Sequence, residues 1–113
     1  MSILSEINEV ITTIGIPVET GYFSEKAPDE YCVVTPVNES FEYRDNKPQI
    51  DIHEVRISLF SKQNYLNLQK QIVNRLIEQD FTITEIRFIE FEQETNYYHV
   101  AIDVAKHYEM EEE

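Results

Sequence analysis

The sequence contains one cysteine, two glycines, four prolines and no tryptophan among its 113 residues. The single thiol, Cys32, excludes an internal disulfide framework and a zinc site built from several cysteines. The two glycines, Gly15 and Gly21, cannot form a glycine-rich phosphate-binding loop. Such low glycine and proline contents also argue against a low-complexity protein. A chain of this length is expected to form one domain, since domains most often have about 100–150 residues.

Basic residues are scarce as well. Nine lysines and arginines stand against 22 acidic residues, which gives a formal net charge of −13. This charge argues against binding to nucleic acid or to an anionic membrane surface, because both need positive side chains. The charge is uneven: residues 1–30 carry −5, residues 31–84 carry −1 and residues 85–113 carry −7. The nearly neutral middle is therefore free to contact neighbouring molecules.

Long apolar runs are also missing. The amino-terminal segment MSILSEINEV has neither the basic start nor the continuous apolar stretch of a signal peptide. No stretch approaches the roughly 18 apolar residues of a membrane-spanning helix. We therefore expect a protein that is synthesised and folded in the cytoplasm.

Two helices are predicted from apolar residues at three- and four-residue spacing. Ser2 is the predicted N-cap of the first, and Gly15 supplies the left-handed residue that ends it before Pro17. Ser61 or Asn64 caps the second, which is expected to cover a sheet. The apolar positions of the second helix are Tyr65, Leu66, Leu68, Ile72, Val73, Leu76 and Ile77.

Alternation of apolar and polar residues predicts five strands. The last is the clearest, because the even-numbered apolar residues from Tyr98 to Val104 line one face. The order α-β-β-β-α-β-β indicates an α+β domain over residues 1–108, followed by an acidic tail at 109–113. We expect a mostly antiparallel sheet with both helices packed on one face and a long projecting β-hairpin. The strands are predicted at 18–23, 31–37, 50–60, 81–92 and 97–108, with residues 38–43 as a looser continuation of the second.

Three features predict interruptions in these strands. Pro36 has no N–H to give to a ladder, so it belongs at an edge or a bulge. The apolar residues of the third strand change parity after Ile52, which predicts a β-bulge near His53 and Glu54. A similar change of parity predicts an irregularity near Glu85.

The sequence predicts no catalytic, cofactor-binding or metal-binding residues. His99, Asp103 and His107 share one face of the last strand, but neighbours in this set are about 13 Å apart. Bonds of about 2 Å to one ion cannot bridge that distance. His53 could join only one of these residues from a neighbouring strand. Cys32 lies in an apolar strand without a nearby base, so we expect an inert buried thiol.

The seven tyrosines and six phenylalanines are more informative. Tyr97 and Tyr98 cannot both face the core, because consecutive residues of a strand point in opposite directions. Two interpretations remain open: aromatic pairing across strands on the open face of the sheet, or a subunit interface. The interface hypothesis names Phe41, Tyr43 and Pro48 near the end of the hairpin, together with Tyr97.

The whole chain resembles the small tail-completion proteins (tail-terminator or head–tail joining proteins) of long-tailed bacteriophages and prophages, particularly those of Gram-positive hosts. The resemblance covers about residues 2–108 and rests on the order of its segments. These are the opening helix SILSEINEVITTIG, the proline-marked segment PVETGYFSEKAPDEYCVVTPV, a long hairpin ending HEVRISLFSK, the second helix NYLNLQKQIVNRLIEQ and the closing hairpin with HVAIDVAKHYE.

The resemblance implies a non-enzymatic structural protein without cofactors, in the tail or neck of the virion after synthesis in the host bacterial cytoplasm. Members of this family typically form a homohexameric ring that caps the tail tube and joins tail to head. The implied partners are other copies of the chain, the tail-tube protein and the head-completion or connector protein. DNA would pass through the ring without specific binding.

A second class of function fits the same composition. A small acidic protein-binding module, such as an inhibitor or adaptor that engages a basic protein, also needs no catalytic residue. Oligomeric state separates the two hypotheses. The first requires self-assembly, whereas the second operates as a monomer or dimer.

Overall fold

The computed structural model describes residues 2–22 and 26–110, which form two helices and a five-stranded mixed sheet. The α+β class and the order of the elements along the chain are as predicted. Phe23, Ser24 and Glu25, at the predicted end of the first strand and start of the next loop, lie outside the described residues, as do residues 111–113 of the predicted tail. The elements are α1 (Ile3–Ile14), β1 (Val18–Thr20), β2 (Glu30–Arg44), β3 (Lys47–Ser61), α2 (Tyr65–Glu78), β4 (Thr82–Glu92) and β5 (Tyr97–Glu109).

The strands lie in the order β1-β2-β3-β5-β4. Strand β1 pairs parallel with β2, whereas the other three pairs are antiparallel. The sheet is therefore mixed, which corrects the expectation of a mostly antiparallel one. The alternation of side chains predicts that a segment is a strand but carries no information on its direction. Here the short β1 leaves Pro17 beside Cys32, whose N–H bonds to the Pro17 carbonyl.

The two long strands β2 and β3 pair antiparallel along their whole length. Strand β3 pairs with β5 without a register shift, so the β-bulge predicted near His53 and Glu54 is wrong. One irregularity lies on β2 between Pro36 and Asn38, because Pro36 has no N–H for the ladder. A second register shift follows between Glu42 and Tyr43, near the turn. Ile52 therefore lies on the face of the sheet that turns away from the helices.

Strand β4 is irregular at two places. Its pairing with β5 shifts register between Ile83 and Glu85, where the sequence predicted an irregularity, and again between Phe88 and Glu90. Because β4 is the last strand of the sheet, its outer edge has no strand partner in the described chain.

Both helices begin at predicted caps. Ser2 accepts a hydrogen bond from the N–H of Ser5, and Gly15 ends α1 with a φ of 98°. Asn64, rather than Ser61, caps α2. Leu66 and Ile77, which the sequence assigned to the packed stripe of α2, are exposed instead.

No helix in the described part of the chain is long and apolar enough to cross a membrane.

One apolar core lies between the helices and the sheet. Both helices and three of the strands contribute residues to it, so the helices cover the same face. Burial of these side chains contributes most of the stabilisation of the domain, at about 25 cal/mol per Å² of apolar surface. Its fully buried residues include Ile7, Ile11, Val34, Ile57, Leu59, Ile72, Leu76 and Ile102.

The molecule is longer than a compact chain of this size. Its radius of gyration is 15.5 Å, whereas a compact domain of this length is expected to have a radius of about 13 Å. The principal extents are 54, 25 and 24 Å. A strand of 15 residues, such as β2 or β3, spans about 50 Å, so these two strands set the long dimension.

Candidate interaction surface

Residues 38–54, at the distal end of β2 and β3, form a surface that we call the hairpin arm. A two-residue turn at Asp45 and Asn46 closes it, and both residues have positive φ values, 54° and 63°. Asparagine and aspartate tolerate this conformation, which matches the twist of the paired strands. Strand β1 pairs with β2 only as far as Val34, so the outer edge of the arm has no strand partner among the described residues.

Three of the four predicted interface residues lie on this arm. Phe41 is 43% exposed and Tyr43 is 66% exposed. They are two residues apart in β2 and therefore share a face. Pro48 is exposed and lies opposite Tyr43 on β3. The arm thus presents aromatic surface beside an unpaired strand edge.

Tyr97 lies elsewhere and is buried, with 7% of its surface exposed. Its ring contacts Tyr31 and Phe60 edge-on, at centroid distances of 5.5 and 6.2 Å. Its hydroxyl donates a hydrogen bond to the Pro28 carbonyl. The cross-strand aromatic pairing that the sequence left open is therefore present on the face without helices. Tyr97 has little surface to offer a neighbour, and the interface hypothesis keeps only the arm residues.

A second exposed apolar surface lies at the opposite end of the sheet and was not singled out from the sequence. We call it the β4 edge, and it consists of Ile86, Phe88, Ile89 and Phe91, all at least 40% exposed. The rings of Phe88 and Phe91 contact Tyr65 and Tyr98 at their inner sides. The available signal was the run ITEIRFIEF. Its apolar residues change parity because the pairing with β5 shifts register twice, which keeps Ile86, Phe88 and Phe91 on one face of β4.

Two arginines on the helix-free face pair with carboxylates. Arg56 binds Asp103 through two contacts, Nε–Oδ1 at 2.8 Å and Nη2–Oδ2 at 3.1 Å. Arg87 lies 3.6 Å from Glu85 and 4.0 Å from Asp103. Exposed pairs of this kind contribute about 0–1 kcal/mol each. They neutralise part of the acidic charge of β4 and β5.

The histidines of β5 do not converge with Asp103 on a common point. His99 stacks on Phe60, and burial lowers the pKa of its imidazole. Asp103 is bound to Arg56, and His107 is exposed on the strand.

The buried Cys32 is a poor nucleophile, because burial raises the pKa of its thiol to about 12.

One group of metal-ligand type does come together on the described chain. Glu39, Asp51 and His53 each bring one ligand atom to within 4.8 Å of the others. The sequence pattern relates His53 only to the histidines of β5. Finding this group from the sequence would have required the register of β2 against β3, which depends on the position of the bulge.

The sheet therefore ends in two different apolar edges, the hairpin arm on one side and the β4 edge on the other.

No protein-family model matches the chain, and no curated protein matches it.

Proposed function

We propose that this chain is a structural subunit of the neck of a long-tailed bacteriophage or prophage. Copies of the chain assemble head-to-tail into a ring, six-membered as in the tail-completion proteins it resembles, which caps the tail tube and joins it to the head. The observation that carries the proposal is the pair of different open edges on one sheet. Contacts between two different surfaces of a subunit generate rings when the rotation closes.

The hairpin arm supplies one half of this contact. An unpaired strand edge in water invites pairing with another chain, and monomeric proteins usually shorten or cover such edges. Beyond Val34, the edge of strand β2 is neither shortened nor covered by another described strand. It carries Phe41 and Tyr43, whose side chains are exposed. Covering one such partly exposed ring stabilises a contact by about 1–2 kcal/mol.

The β4 edge supplies the other half. Ile86, Phe88, Ile89 and Phe91 expose apolar surface along the outermost strand. Strands β3 and β5 separate β4 from β2, and neighbouring strands lie about 4.8 Å apart. One copy therefore offers its arm on one side and its β4 edge on the other, as a head-to-tail ring requires.

The acidic charge is consistent with a ring through which DNA passes. A net charge of −13 repels a polyanion, so DNA can slide through without sticking. The proposal assigns the chain no catalytic role and no cofactor. Its partners are further copies of itself, the tail-tube protein and the head connector.

The experiment is a capping assay with the tail-tube protein encoded beside the gene for this chain. Tubes polymerised with the full chain present should be shorter and should carry a ring at one end in negative-stain micrographs. Tubes polymerised with bovine serum albumin instead should keep growing without rings. Tubes that ignore the chain, which itself stays monomeric, would contradict the proposal and favour the acidic binding module.

A further inference from the structure

The hairpin arm carries a group of three side chains that face one another across two strands. Glu39 on β2 lies directly opposite His53 on β3. Asp51 precedes His53 by two residues and therefore lies on the same face. Nε2 of His53 is 2.9 Å from Oδ2 of Asp51 and 3.4 Å from Oε2 of Glu39.

These separations match those around a bound metal ion. Two ligand atoms that each lie 2.0–2.2 Å from a tetrahedral ion are about 3.3 Å apart. The observed distances of 2.9 and 3.4 Å fall on either side of that value. Tyr108 packs edge-on against the ring of His53, with centroids 5.4 Å apart, and so restricts its orientation. The ligand atoms are thus held close to the required geometry by the two paired strands.

The group also lacks a compensating positive charge. Oδ1 of Asp51 is buried without a hydrogen-bond partner among the described residues. None of the described residues that line this groove is lysine or arginine. The amino-terminal end of α1, at Ser2, borders it and supplies only about half a positive charge.

We propose that Glu39, Asp51 and His53 bind one divalent first-row transition ion, such as Zn²⁺. One imidazole and two carboxylates form a mixed donor set that such ions prefer, whereas Mg²⁺ and Ca²⁺ favour oxygen ligands alone. The ion links β2 to β3 inside the arm, and water completes its coordination. This proposal goes beyond the ring and does not depend on it.

The test is calorimetric titration of Zn²⁺ into the full chain after removal of metal with EDTA and dialysis. We expect saturation at one ion per chain, with affinity at least tenfold lower for His53→Gln. The matched control is His107→Gln, which removes an exposed histidine on the other face of the sheet and should leave binding unchanged. Mg²⁺ should give no comparable binding.

Two further variants keep the test independent of folding. Glu39 is exposed, so Glu39→Gln should preserve the fold and still lower the affinity at least tenfold. Asp51→Asn keeps the shape of the side chain and should have the same effect, with circular dichroism confirming the fold. Zn²⁺ should also raise the melting temperature of the wild-type chain by more than that of Glu39→Gln at the same ion concentration. Absence of saturable binding, or equal binding by the wild-type chain and Glu39→Gln, would overturn the proposal.

Discussion

The imidazole of His99 stacks on the ring of Phe60, with centroids 4.2 Å apart and planes 20° from parallel. Burial lowers the pKa of His99, and the charge of Arg56 adds to this effect, whereas Glu92 and Glu90 oppose it. The folded state therefore disfavours the protonated imidazole relative to the unfolded chain. The stabilisation is fully present above the unfolded pKa, which is about 6.5, and it is lost as the pH falls from there through the lowered folded pKa.

We accordingly predict that part of the acid sensitivity of the fold comes from His99. The free energy of unfolding, measured in urea at pH 7.5 and pH 5.5, should fall less between these pH values in His99→Gln than in the wild-type chain. His107 is exposed, so His107→Gln should follow the wild-type chain. An unchanged dependence on pH in His99→Gln would contradict the assignment.

The Cys32 thiol should be unreactive in the native protein. It is fully buried, and burial raises its pKa to about 12, so the thiolate is scarce at neutral pH. Ellman's reagent at pH 8 should give no rapid reaction until guanidinium unfolds the chain, when one thiol should react. Because the folded pKa lies above the unfolded value, the neutral thiol's contribution to stability is fully present below the unfolded pKa and is lost as the pH rises from there through about 12. Rapid reaction of the native protein would show that this part of the core is open.

Replacing Gly15 by a residue with a Cβ should lower the free energy of unfolding by about 1 kcal/mol, because such a residue adopts a φ of +98° only at a cost. A Cβ added there meets nothing within 4 Å, so Gly15→Ala isolates the backbone cost from any clash. Thermal unfolding should show a melting temperature about 4 °C lower. Gly15→Asn should recover part of the loss, because asparagine tolerates the left-handed region better. Equal stability of the two variants would argue against this conformation at the end of α1.

Tyr97→Phe separates a structural role from an interface role. The change removes the hydroxyl that bonds to the Pro28 carbonyl and leaves the ring among Tyr31 and Phe60. A lost hydrogen bond of this kind costs about 1 kcal/mol, which urea unfolding can measure. Assembly should be unaffected, because the side chain is buried within the subunit. A Tyr97→Phe variant with wild-type stability that fails to assemble would instead indicate that Tyr97 contacts a neighbouring subunit.

The sequence was sufficient to predict the helices and the order of the elements, because caps and periodicity are local signals. Ser2, Gly15 and Asn64 each act through backbone groups a few residues away. The direction of β1 could not be predicted in this way, since its parallel pairing is a contact between distant segments. Leu66 and Ile77 were assigned to the core for a related reason. Helical spacing predicts that an apolar side chain is buried, but it carries no information on whether the sheet extends far enough to cover that side chain.

The bulge and the metal-ligand group depend on register, which is not a local property. A shift of one residue moves every side chain of a strand to the other face. Pro36 was the correct signal for an irregularity, but the change of parity after Ile52 pointed to the wrong strand. Only with the bulge on β2 does Glu39 lie opposite His53.

The central claim is that the hairpin arm joins one copy of the chain to the next. The most direct measurement is sedimentation velocity over a range of concentrations, comparing the wild-type chain with the double variant Phe41→Asp and Tyr43→Asp. The matched control is Leu66→Asp with Ile77→Asp, which alters exposed apolar residues on α2. We predict one discrete species larger than a dimer for the wild-type chain and the control, and only monomer for the arm variant, with all three folded by circular dichroism. Indistinguishable distributions for the wild-type chain and the arm variant would contradict the account.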